Sequence, residues 1–444
     1  MADKSFAEKI LAPVENLRSN FGIEVSAGVL IALFGLILFF VYSVAPSVIE
    51  TTFRVIWFFT PVWLTLLLAF LSAHVWITYR RAVFIASQEH ILLEIRIPKE
   101  IKKSPLAMEA VLAGIHFGPG EATWYDRYIR GKVRPWWSLE IVSFGGDVRF
   151  FIWTRSAFRK LIESQLYAQY PGVQVVDADD YTRFHKCTPE QYEIWGCDFA
   201  LTKEDPYPIK TYVDYGLDRA GTKEEEKIDP MANLIEFMGS LNPGEMMWLQ
   251  ILVRVTKKEK FGDKDWKDEG KELVEEIRKK TVSTYIDNDG KEKDGFPNPT
   301  KGQMEVMSAI ERNIGKLGFD AGIRGIYIAE QGKFNAYNIN GLTAIFKQFS
   351  SENLNGFKPS GGLTIFQDYP WELFVTRRKN MAREGIVDAY KRRSWFHGPH
   401  KQAHFVLSTE ELATIYHIPS GVVQTPTLPR IQSATAEAPS NLPT

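Results

Sequence analysis

Seven basic residues lie close together between positions 377 and 393. They are Arg377, Arg378, Lys379, Arg383, Lys391, Arg392 and Arg393. Clustered guanidinium and ammonium groups can bind the phosphates of nucleic acids or anionic lipids, or an acidic protein surface. The only acidic residues in the run are Glu384 and Asp388, and the nearby aromatic residues Trp371, Tyr390 and Trp395 could stack on nucleic-acid bases. The alternative is a solvated helix face, which is the more common role of a single basic run.

A group of histidines follows this run. His397, His400 and His404 lie within eight residues, and His417 comes later. Neutral imidazoles are good zinc ligands. However, Gly398-Pro399 interrupts any helix that would place them on one face, and no acidic or thiol ligand accompanies them. We therefore interpret them as surface or loop histidines.

Three aspartates, Asp177, Asp179 and Asp180, end a predicted strand. A catalytic or Ca²⁺-binding role would need further oxygen ligands in a defined loop, and the sequence offers none in that pattern. We interpret them as part of a polar loop. Cys187 and Cys197 are expected to be reduced thiols, because disulfides are rare in proteins that face the cytosol.

The common catalytic motifs do not occur in this sequence. A P-loop requires Gly-x4-Gly-Lys-Ser/Thr, so that backbone N–H groups and a lysine surround the phosphates. Gly332-Lys333 is followed by Phe334, and Gly361 is followed by Gly362-Leu363. The Gly-x-Ser-x-Gly, His-Glu-x-x-His and Cys-x-x-Cys motifs are also absent. The sequence therefore assigns no catalytic, cofactor-binding or metal-binding residue, and a membrane-bound enzyme is the least supported class.

The elements that would position these residues begin with two apolar runs, Val25–Ala45 and Val55–Ile77. Neither contains Asp, Glu, Lys or Arg, and each is long enough for a helix to cross the hydrocarbon core of about 30 Å. Trp57 and Trp76 lie near the two ends of the second run, as in interfacial belts. The runs predict a transmembrane helical hairpin over residues 24–83; the alternative is a buried helical hairpin.

The charges beside the hairpin predict its orientation. Five basic residues lie on its outer flanks: Lys4, Lys9, Arg18, Arg80 and Arg81. The connecting stretch Pro46–Arg54 has only one, so the positive-inside rule places both termini and the main body on the cytoplasmic side of the inner membrane. Residues 1–23 have the spacing of an amphipathic helix, which would lie on lipid or dock on the body or a partner.

The body is predicted to be α+β. Residues 86–200 have the order β-α-β-β-α-β of a ferredoxin-like unit, with a hairpin turn at Phe144-Gly145-Gly146-Asp147. Residues 241–420 predict a second, disrupted unit of the same kind, with a charged insertion at 257–300. A helix is predicted near Trp266–Lys280 within the insertion, and a strand over Gly325–Ala329 after it. Between them, residues 201–240 are interpreted as a linker or loop region. The tail 421–444 is rich in Pro, Ser, Thr and Ala and is predicted to be disordered.

Several strings within this body are similar to a known family. They are Trp137–Trp153, Glu163–Pro171, Ile323–Pro359 and Leu407–Ala413. Together they resemble an uncharacterised bacterial domain that stands ahead of the motor in membrane-associated ATPases of the conjugative transfer, type IV secretion kind. The resemblance covers about residues 85–440, and in such proteins the P-loop motor follows. Because the present sequence has no P-loop, the resemblance transfers no catalytic residue.

These observations lead to two functional hypotheses. The first is a non-catalytic membrane-anchored component of a secretion or DNA-transfer apparatus, which docks on, or replaces the N-terminal region of, a separate P-loop ATPase. The second is a membrane-associated nucleic-acid-binding protein that uses residues 377–393. A formal net charge of −1 gives no overall attraction to nucleic acid, so such binding would have to be local. Membrane lipid is a partner in both hypotheses, no cofactor is implied, and an oligomer remains open.

Overall fold

The computed structural model describes residues 35–36, 39–40, 42–98, 103–118, 120, 123–184, 191–218, 228–257, 264–286, 292–366, 374–419 and 430–431. The chain divides into two compact units, residues 1–79 with 368–375, and residues 80–367 with 376–444. The predicted amphipathic helix over residues 1–23 and most of the first apolar run lie outside the described residues. The structure therefore describes mainly the second half of the predicted transmembrane hairpin over 24–83.

Two helices, α1 (Pro46–Phe58) and α2 (Thr60–Ala86), cover the second apolar run. The run was predicted to form one span over Val55–Ile77, but the helices divide at Phe59. Pro61 explains the division, because proline is favoured in the first turn of a helix and lacks the N–H that a helix interior needs. Helix α2 has 27 residues, none of them buried, and among the described residues it is the one helix with the length and apolar character to cross a membrane.

The body is α+β with one large, almost entirely antiparallel sheet and a separate two-stranded hairpin. Its strands are β1 (His90–Pro98), β2 (Trp137–Phe144), β3 (Asp147–Arg155), β4 (Gln174–Ala178), β5 (Tyr192–Leu201), β6 (Glu245–Val255), β7 (Val282–Ile286), β8 (Glu292–Pro297), β9 (Gly318–Glu330), β10 (Phe357–Ser360), β11 (Phe405–Ser408) and β12 (Arg430–Ile431). The large sheet has the order β10-β5-β9-β6-β2-β3-β1, with β4 and β12 also paired to β1 and β11 paired to β9. Strands β7 and β8 form the separate hairpin.

Helices connect these strands. They are α3 (Leu106–Gly114), α4 (Trp124–Tyr128), α5 (Arg159–Gln169), α6 (Tyr181–Phe184), α7 (Pro230–Gly239), α8 (Trp266–Lys280), α9 (Lys301–Ile314), α10 (Tyr337–Ala344), α11 (Val375–Lys391) and α12 (Thr409–Ile415). The predicted helix over Trp266–Lys280 is confirmed with the same bounds. It lies in the charged segment 257–300, which was predicted as an insertion and also contains β7 and β8.

The predicted hairpin at Phe144-Gly145-Gly146-Asp147 is confirmed. Strands β2 and β3 pair from Phe144 and Asp147 onward. Gly145 and Gly146 have φ values of 58° and 95°, a left-handed conformation that glycine adopts without steric cost. Two consecutive residues of this kind form the tight turn that matches the twist of an antiparallel hairpin.

Both faces of the sheet are buried. Side chains alternate along each strand, so each strand contributes to two cores. On one face, Leu139 and Ile141 of β2 join the larger core, which helices α3, α5, α7 and α12 complete. On the other face, Val142 of β2 and Trp248 of β6 join a second core. The end of α11 and the segment after it cover this second core.

Residues 201–240, predicted as a linker or loop region, include the helix α7. Asp229 caps this helix, and Met231, Leu234 and Ile235 are fully buried. Strand β5, which was not predicted but lies almost entirely within the bounds 86–200 of the first unit, pairs with β9 and β10. Local sequence patterns could not predict this pairing, because long-range packing determines which strands are neighbours in a sheet. The predicted disordered tail over 421–444 lies outside the described residues except for Arg430–Ile431, which pair with β1.

Candidate functional site

The seven basic residues do not form one surface. Helix α11 carries the first five, and Arg377 among them is exposed. Arg383 donates to the backbone oxygen of Ile194, with 3.2 Å between Nε and O. Arg392 is exposed and pairs with Asp388, one turn earlier, with Nε 2.8 Å from Oδ2. In this run, some of the described side chains are therefore exposed to solvent and others bind the body.

Arg393 is the exception, because it is buried. Its backbone is left-handed, with φ at 48°, and its side chain is 2% exposed. The Nε atom lies 3.0 Å from Oε1 of Glu140, and Nη1 lies 2.6 Å from Oδ2 of Asp180. Burial alone would lower the pKa of the guanidinium, but Glu140 and Asp180 raise it well above its usual value. Two carboxylates of the same chain therefore pair with the guanidinium of Arg393, which was predicted as a possible phosphate or partner contact.

Glu140 lies in the middle of β2, and its carboxylate is fully buried. Its Oε1 atom accepts hydrogen bonds from Ser138 Oγ at 2.6 Å and Gln250 Nε2 at 3.1 Å, in addition to Arg393. Its Oε2 atom accepts from the hydroxyl of Tyr181 at 2.8 Å and again from Arg393 at 3.3 Å. A buried carboxylate is stable only when it is paired and hydrogen-bonded in this way.

The aromatic residues predicted to stack on bases are also buried where the structure describes them. Tyr390 is fully buried, and its hydroxyl lies 2.7 Å from that of Tyr181. Trp395 is 2% exposed, and its ring carries the Arg324 guanidinium 5.0 Å from the centroid. Trp371 lies outside the described residues. Neither Tyr390 nor Trp395 offers a ring face to a base.

Beside the Arg393 cluster, the body encloses a cavity of about 460 Å³, which we call the α2 cavity. It is lined by Ala82, Ile85, Ala86, Gln88, His90, Trp136, Trp153, Asp180, Arg183, Lys391, Arg392, Arg393, Ser394, Trp395, Phe396, His397, Gly398 and Pro399. The last turns of α2, the start of β1, the end of β3, α6 and the chain segment after α11 meet there. The volume lies within the range of about 300–1,000 Å³ that is usual for small-molecule sites.

One wall of the α2 cavity is aromatic. The imidazole of His90 stacks on the indole of Trp153, with 4.3 Å between centroids and 5° between planes. Trp136 lies 5.8 Å from Trp153 and 5.8 Å from His397, again between ring centroids. The indole N–H of Trp136 donates to the backbone oxygen of Arg393 at 3.1 Å, which fixes the ring against the segment after α11.

Both histidines of this wall are neutral at physiological pH. Burial, together with the Arg155 charge, lowers the pKa of His90 to about 4. Burial and the charges of Arg254 and Arg81 lower the pKa of His397 to about 3. The Nε2 atom of His397 is buried without a hydrogen-bond partner among the described residues. The charges that lower these two pKa values therefore come from cations on different elements of the body.

The remaining histidines are separated by their partners. His400 lies 2.7 Å from Asp388, and His417 lies 3.1 Å from Asp229. His404 lies 3.5 Å from Asp320, a buried residue that also pairs with Arg134 and Arg254. Within the part of the chain that the structure describes, His, Cys, Asp and Glu side chains form no group of three that could hold a metal ion.

The predicted acidic cluster is divided as well. Asp177 is the fourth residue of β4 and pairs with Arg159, with 2.7 Å between Oδ2 and Nη1. Asp177 and Asp179 both line a second cavity of about 840 Å³, together with Glu94 and Arg149, so only Asp180 is separated from the other two. Asp180 belongs to the Arg393 cluster, and although burial alone would raise its pKa, Arg393 lowers it. Cys197 is buried and not disulfide-bonded, and burial raises the pKa of its thiol.

Sequence reasoning missed most of the α2 cavity. Its basic edge was found, but Trp136, Trp153, His90 and the partner Glu140 were not. One signal was present: Glu140 is the only charged residue in WSLEIVSF, and a charge at an inward position of a strand calls for a buried partner. With its cationic edge and aromatic wall, the cavity can hold a ligand that has both an anionic group and an apolar part.

A comparison with curated proteins found no match for this chain. Residues 82–430 match a family described as a domain of unknown function, DUF8128. The match begins in the last turns of α2 and ends at β12, so it includes the whole α2 cavity. The chain belongs to the DUF8128 family.

Proposed function

We propose that this protein is a non-catalytic, membrane-anchored docking component of a type IV secretion-like or conjugation-like apparatus. The observation that carries the proposal is α2, an apolar helix with no buried residue that continues into the body. At about 1.5 Å per residue, a helix of this length is longer than the hydrocarbon core of a bilayer.

Exposed apolar surface supports the membrane anchor. Phe70 and Leu66 of α2 are 70% and 66% exposed, and no Asp, Glu, Lys or Arg occurs between Thr60 and Tyr79. Soluble monomeric proteins rarely expose a contiguous apolar surface of this extent, because water makes it unfavourable. Arg80 and Arg81 follow at once, and under the positive-inside rule they hold the body on the cytoplasmic side.

The partner is proposed from the resemblance of residues 85–440 to regions that precede a P-loop motor. The proposed role is to dock on a P-loop ATPase or on other subunits of the apparatus. Direct nucleic-acid binding is the less favoured alternative, because Arg393, Tyr390 and Trp395 are buried.

The finer architecture belongs to the same proposal. We infer two ferredoxin-like units joined edge to edge. The order β4-β1-β3-β2 with α3 and α5 supports the first unit, and β10-β5-β9-β6 with α7 and α10 supports the second. In the second unit, the second and third strands in sequence are β6 and β9. The segment with α8, the β7–β8 hairpin and α9 connects them in place of the usual tight turn.

Alkaline carbonate extraction of membranes tests the anchor. We expect the full chain to stay in the pellet, and the double variant Leu66→Arg/Phe70→Arg to be released, because charge at the bilayer centre costs about 3 kcal/mol per residue. The matched variant Arg96→Gln/Arg149→Gln, on the body, should stay in the pellet. Release of the unmodified chain would refute the anchor.

Affinity purification from detergent-solubilised membranes of the source cells tests the partner. We expect a P-loop ATPase or other transfer-system subunits to copurify with the tagged full chain. If neither copurifies, although the full chain stays in the membrane pellet after carbonate extraction, the secretion role is refuted. The membrane anchor is then still supported.

A further inference from the structure

We propose that the α2 cavity binds the headgroup of an anionic phospholipid, with the phosphate at the Arg183 and Lys391 edge and the glycerol region against Trp136 and Trp153. The inference rests on the proposed membrane anchor and adds a ligand to it. The ligand chemistry is a phosphate ester that carries an apolar part.

The cavity lies at the C-terminal end of α2, beyond its apolar stretch. Ala82, Ile85 and Ala86 line it, whereas the stretch without Asp, Glu, Lys or Arg ends at Tyr79. At about 1.5 Å per residue, Ala82 and Ala86 lie about 4–11 Å beyond Tyr79 along the helix. The headgroup layer of a bilayer is about 5–7 Å thick on each side. When α2 spans the bilayer, Ala82 therefore falls within the headgroup layer and Ile85 and Ala86 lie just beyond it, so the cavity wall begins at headgroup depth.

The side chains that line the cavity carry more positive than negative charges. Four of the lining residues are cationic, namely Arg183, Lys391, Arg392 and Arg393, and one is anionic, Asp180. Arg393 and Asp180 pair with each other in the floor, and Arg392 pairs with Asp388. Arg183 is exposed at the edge. A basic pocket beside a membrane-spanning helix on the cytoplasmic side is a typical site for acidic lipid headgroups.

The aromatic wall of the cavity suits the interfacial part of a lipid. Indole rings are favoured at the membrane interface because one side is apolar and the N–H is polar. Trp136 and Trp153 both line the cavity, and hydrogen bonding and stacking hold the two rings in place. His397 lines the cavity beside Trp136, with 5.8 Å between ring centroids.

The test is native mass spectrometry of the full chain in a neutral detergent. The three probes are phosphatidylglycerol, phosphatidylcholine and glycerol 3-phosphate. We expect phosphatidylglycerol to bind at least tenfold more tightly than either of the others. Arg183→Gln/Lys391→Gln should weaken that binding about tenfold. Arg96→Gln/Arg149→Gln, which removes two cations from the second cavity, should leave it unchanged.

Three results would overturn the inference. Equal binding of phosphatidylglycerol and phosphatidylcholine would mean general lipid association along α2. Glycerol 3-phosphate binding as tightly as the lipid would mean a soluble phosphate ester. Unchanged binding by Arg183→Gln/Lys391→Gln would place the lipid elsewhere. Because carbonate extraction is measured separately, loss of lipid selectivity with a retained pellet refutes this inference and leaves the anchor standing.

Discussion

At the scale of single residues, the pair of Glu140 and Arg393 decides how the segment after α11 lies. Arg393 is 253 positions from Glu140 in sequence, yet its guanidinium contacts both carboxylate oxygens. The left-handed backbone at Arg393 turns the chain just after α11 ends, and this brings the side chain over β2. A non-glycine residue in that conformation is strained, so the ion pair and its hydrogen bonds must offset the cost.

The first prediction concerns that pair. In Arg393→Met, Glu140 keeps its burial and loses its cation, so we expect the free energy of unfolding to fall by about 3–5 kcal/mol. Urea unfolding of the full chain in detergent, followed by tryptophan fluorescence, measures it. Arg392→Met is the matched control, and its exposed ion pair with Asp388 should be worth less than about 1 kcal/mol. Equal effects of the two substitutions would contradict the role given to Arg393.

The second prediction concerns His90. Its folded-state pKa of about 4 lies below the ordinary value of 6.5, so below pH 6.5 the unfolded chain takes up a proton that the folded chain does not. Stability from this group is therefore complete above pH 6.5 and is lost as the pH falls toward 4. Protonation is disfavoured by burial, then by Arg155 and Arg393, while Asp180 pairs with Arg393 nearby.

His90→Phe keeps a ring against Trp153 and removes the titration. Because the imidazole is partly exposed, we expect the variant to gain only about 1–3 kcal/mol over the wild type between pH 6.5 and 4. At pH 8 the two should agree within about 1 kcal/mol. Melting temperatures across this pH range measure the difference, and a difference that does not change with pH would contradict the assigned pKa. The acid sensitivity that remains in the variant is assigned in part to His397.

Which residues form the site could be predicted only in part. The basic run between 377 and 393 was visible because its residues are neighbours in sequence. Its division was not visible, because burial of Arg393 depends on Glu140 and Asp180, which belong to other elements. The aromatic wall was invisible for the same reason, since Trp136 and Trp153 are distant in sequence from His397.

At the scale of elements, local patterns predicted individual strands and helices well. The β2–β3 hairpin and α8 are confirmed, because turn glycines and helical periodicity are local signals. Strand β9 shows where the local pattern ends. It was predicted over Gly325–Ala329 and runs over Gly318–Glu330, because polar residues such as Asp320 and Arg324 alternate with its apolar ones. They are buried by partners from other strands, which a local pattern cannot reveal.

Gly322 supplies the third prediction. It lies in β9 directly beneath Trp395, and an added Cβ would overlap the indole ring. Gly322→Ala should therefore displace the segment that follows α11 and lower the free energy of unfolding by about 1–3 kcal/mol, the usual effect of overpacking. Urea unfolding measures the loss, and weaker phosphatidylglycerol binding should accompany it.

Gly302 provides the matched control for this substitution. It lies near the start of α9, where an added Cβ meets open space. Gly302→Ala should leave stability unchanged or raise it by about 0.5–1 kcal/mol, because alanine loses less entropy in a helix. If the two alanine variants have the same free energy of unfolding, the packing of Trp395 does not require a glycine at position 322.

At the scale of the whole molecule, the two halves of the body share one sheet. Strand β2 of the first half pairs with β6 of the second from Trp137–Val253 to Phe144–Met246. Leu139 lies opposite Ile251 in this seam, and both side chains are buried in the same core. A seam of eight paired positions with a common core couples the halves, so opening one should expose the other.

The fourth prediction follows from that coupling. Leu139→Ala leaves a cavity at the seam, so we expect the opening free energy to fall by about 2–5 kcal/mol in both halves. Hydrogen exchange of the full chain in detergent should show equal losses for amides of β3 and of β9. Val274→Ala is the control, because Val274 belongs to a separate small cluster with Met307 and Ile310.

The control variant should change exchange in α8 and α9 and leave the sheet protected, since few contacts carry its effect into the larger core. If Leu139→Ala instead destabilised β1–β4 while β5 and β9 kept their protection, the two halves would be independent domains that merely touch. The body would then transmit no strain from the α2 cavity, which lies in the first half with the segment after α11, to the far edge at β10. Equal losses of amide protection in β3 and β9 would show that the whole sheet opens as one cooperative unit. This is the property expected of the proposed docking component.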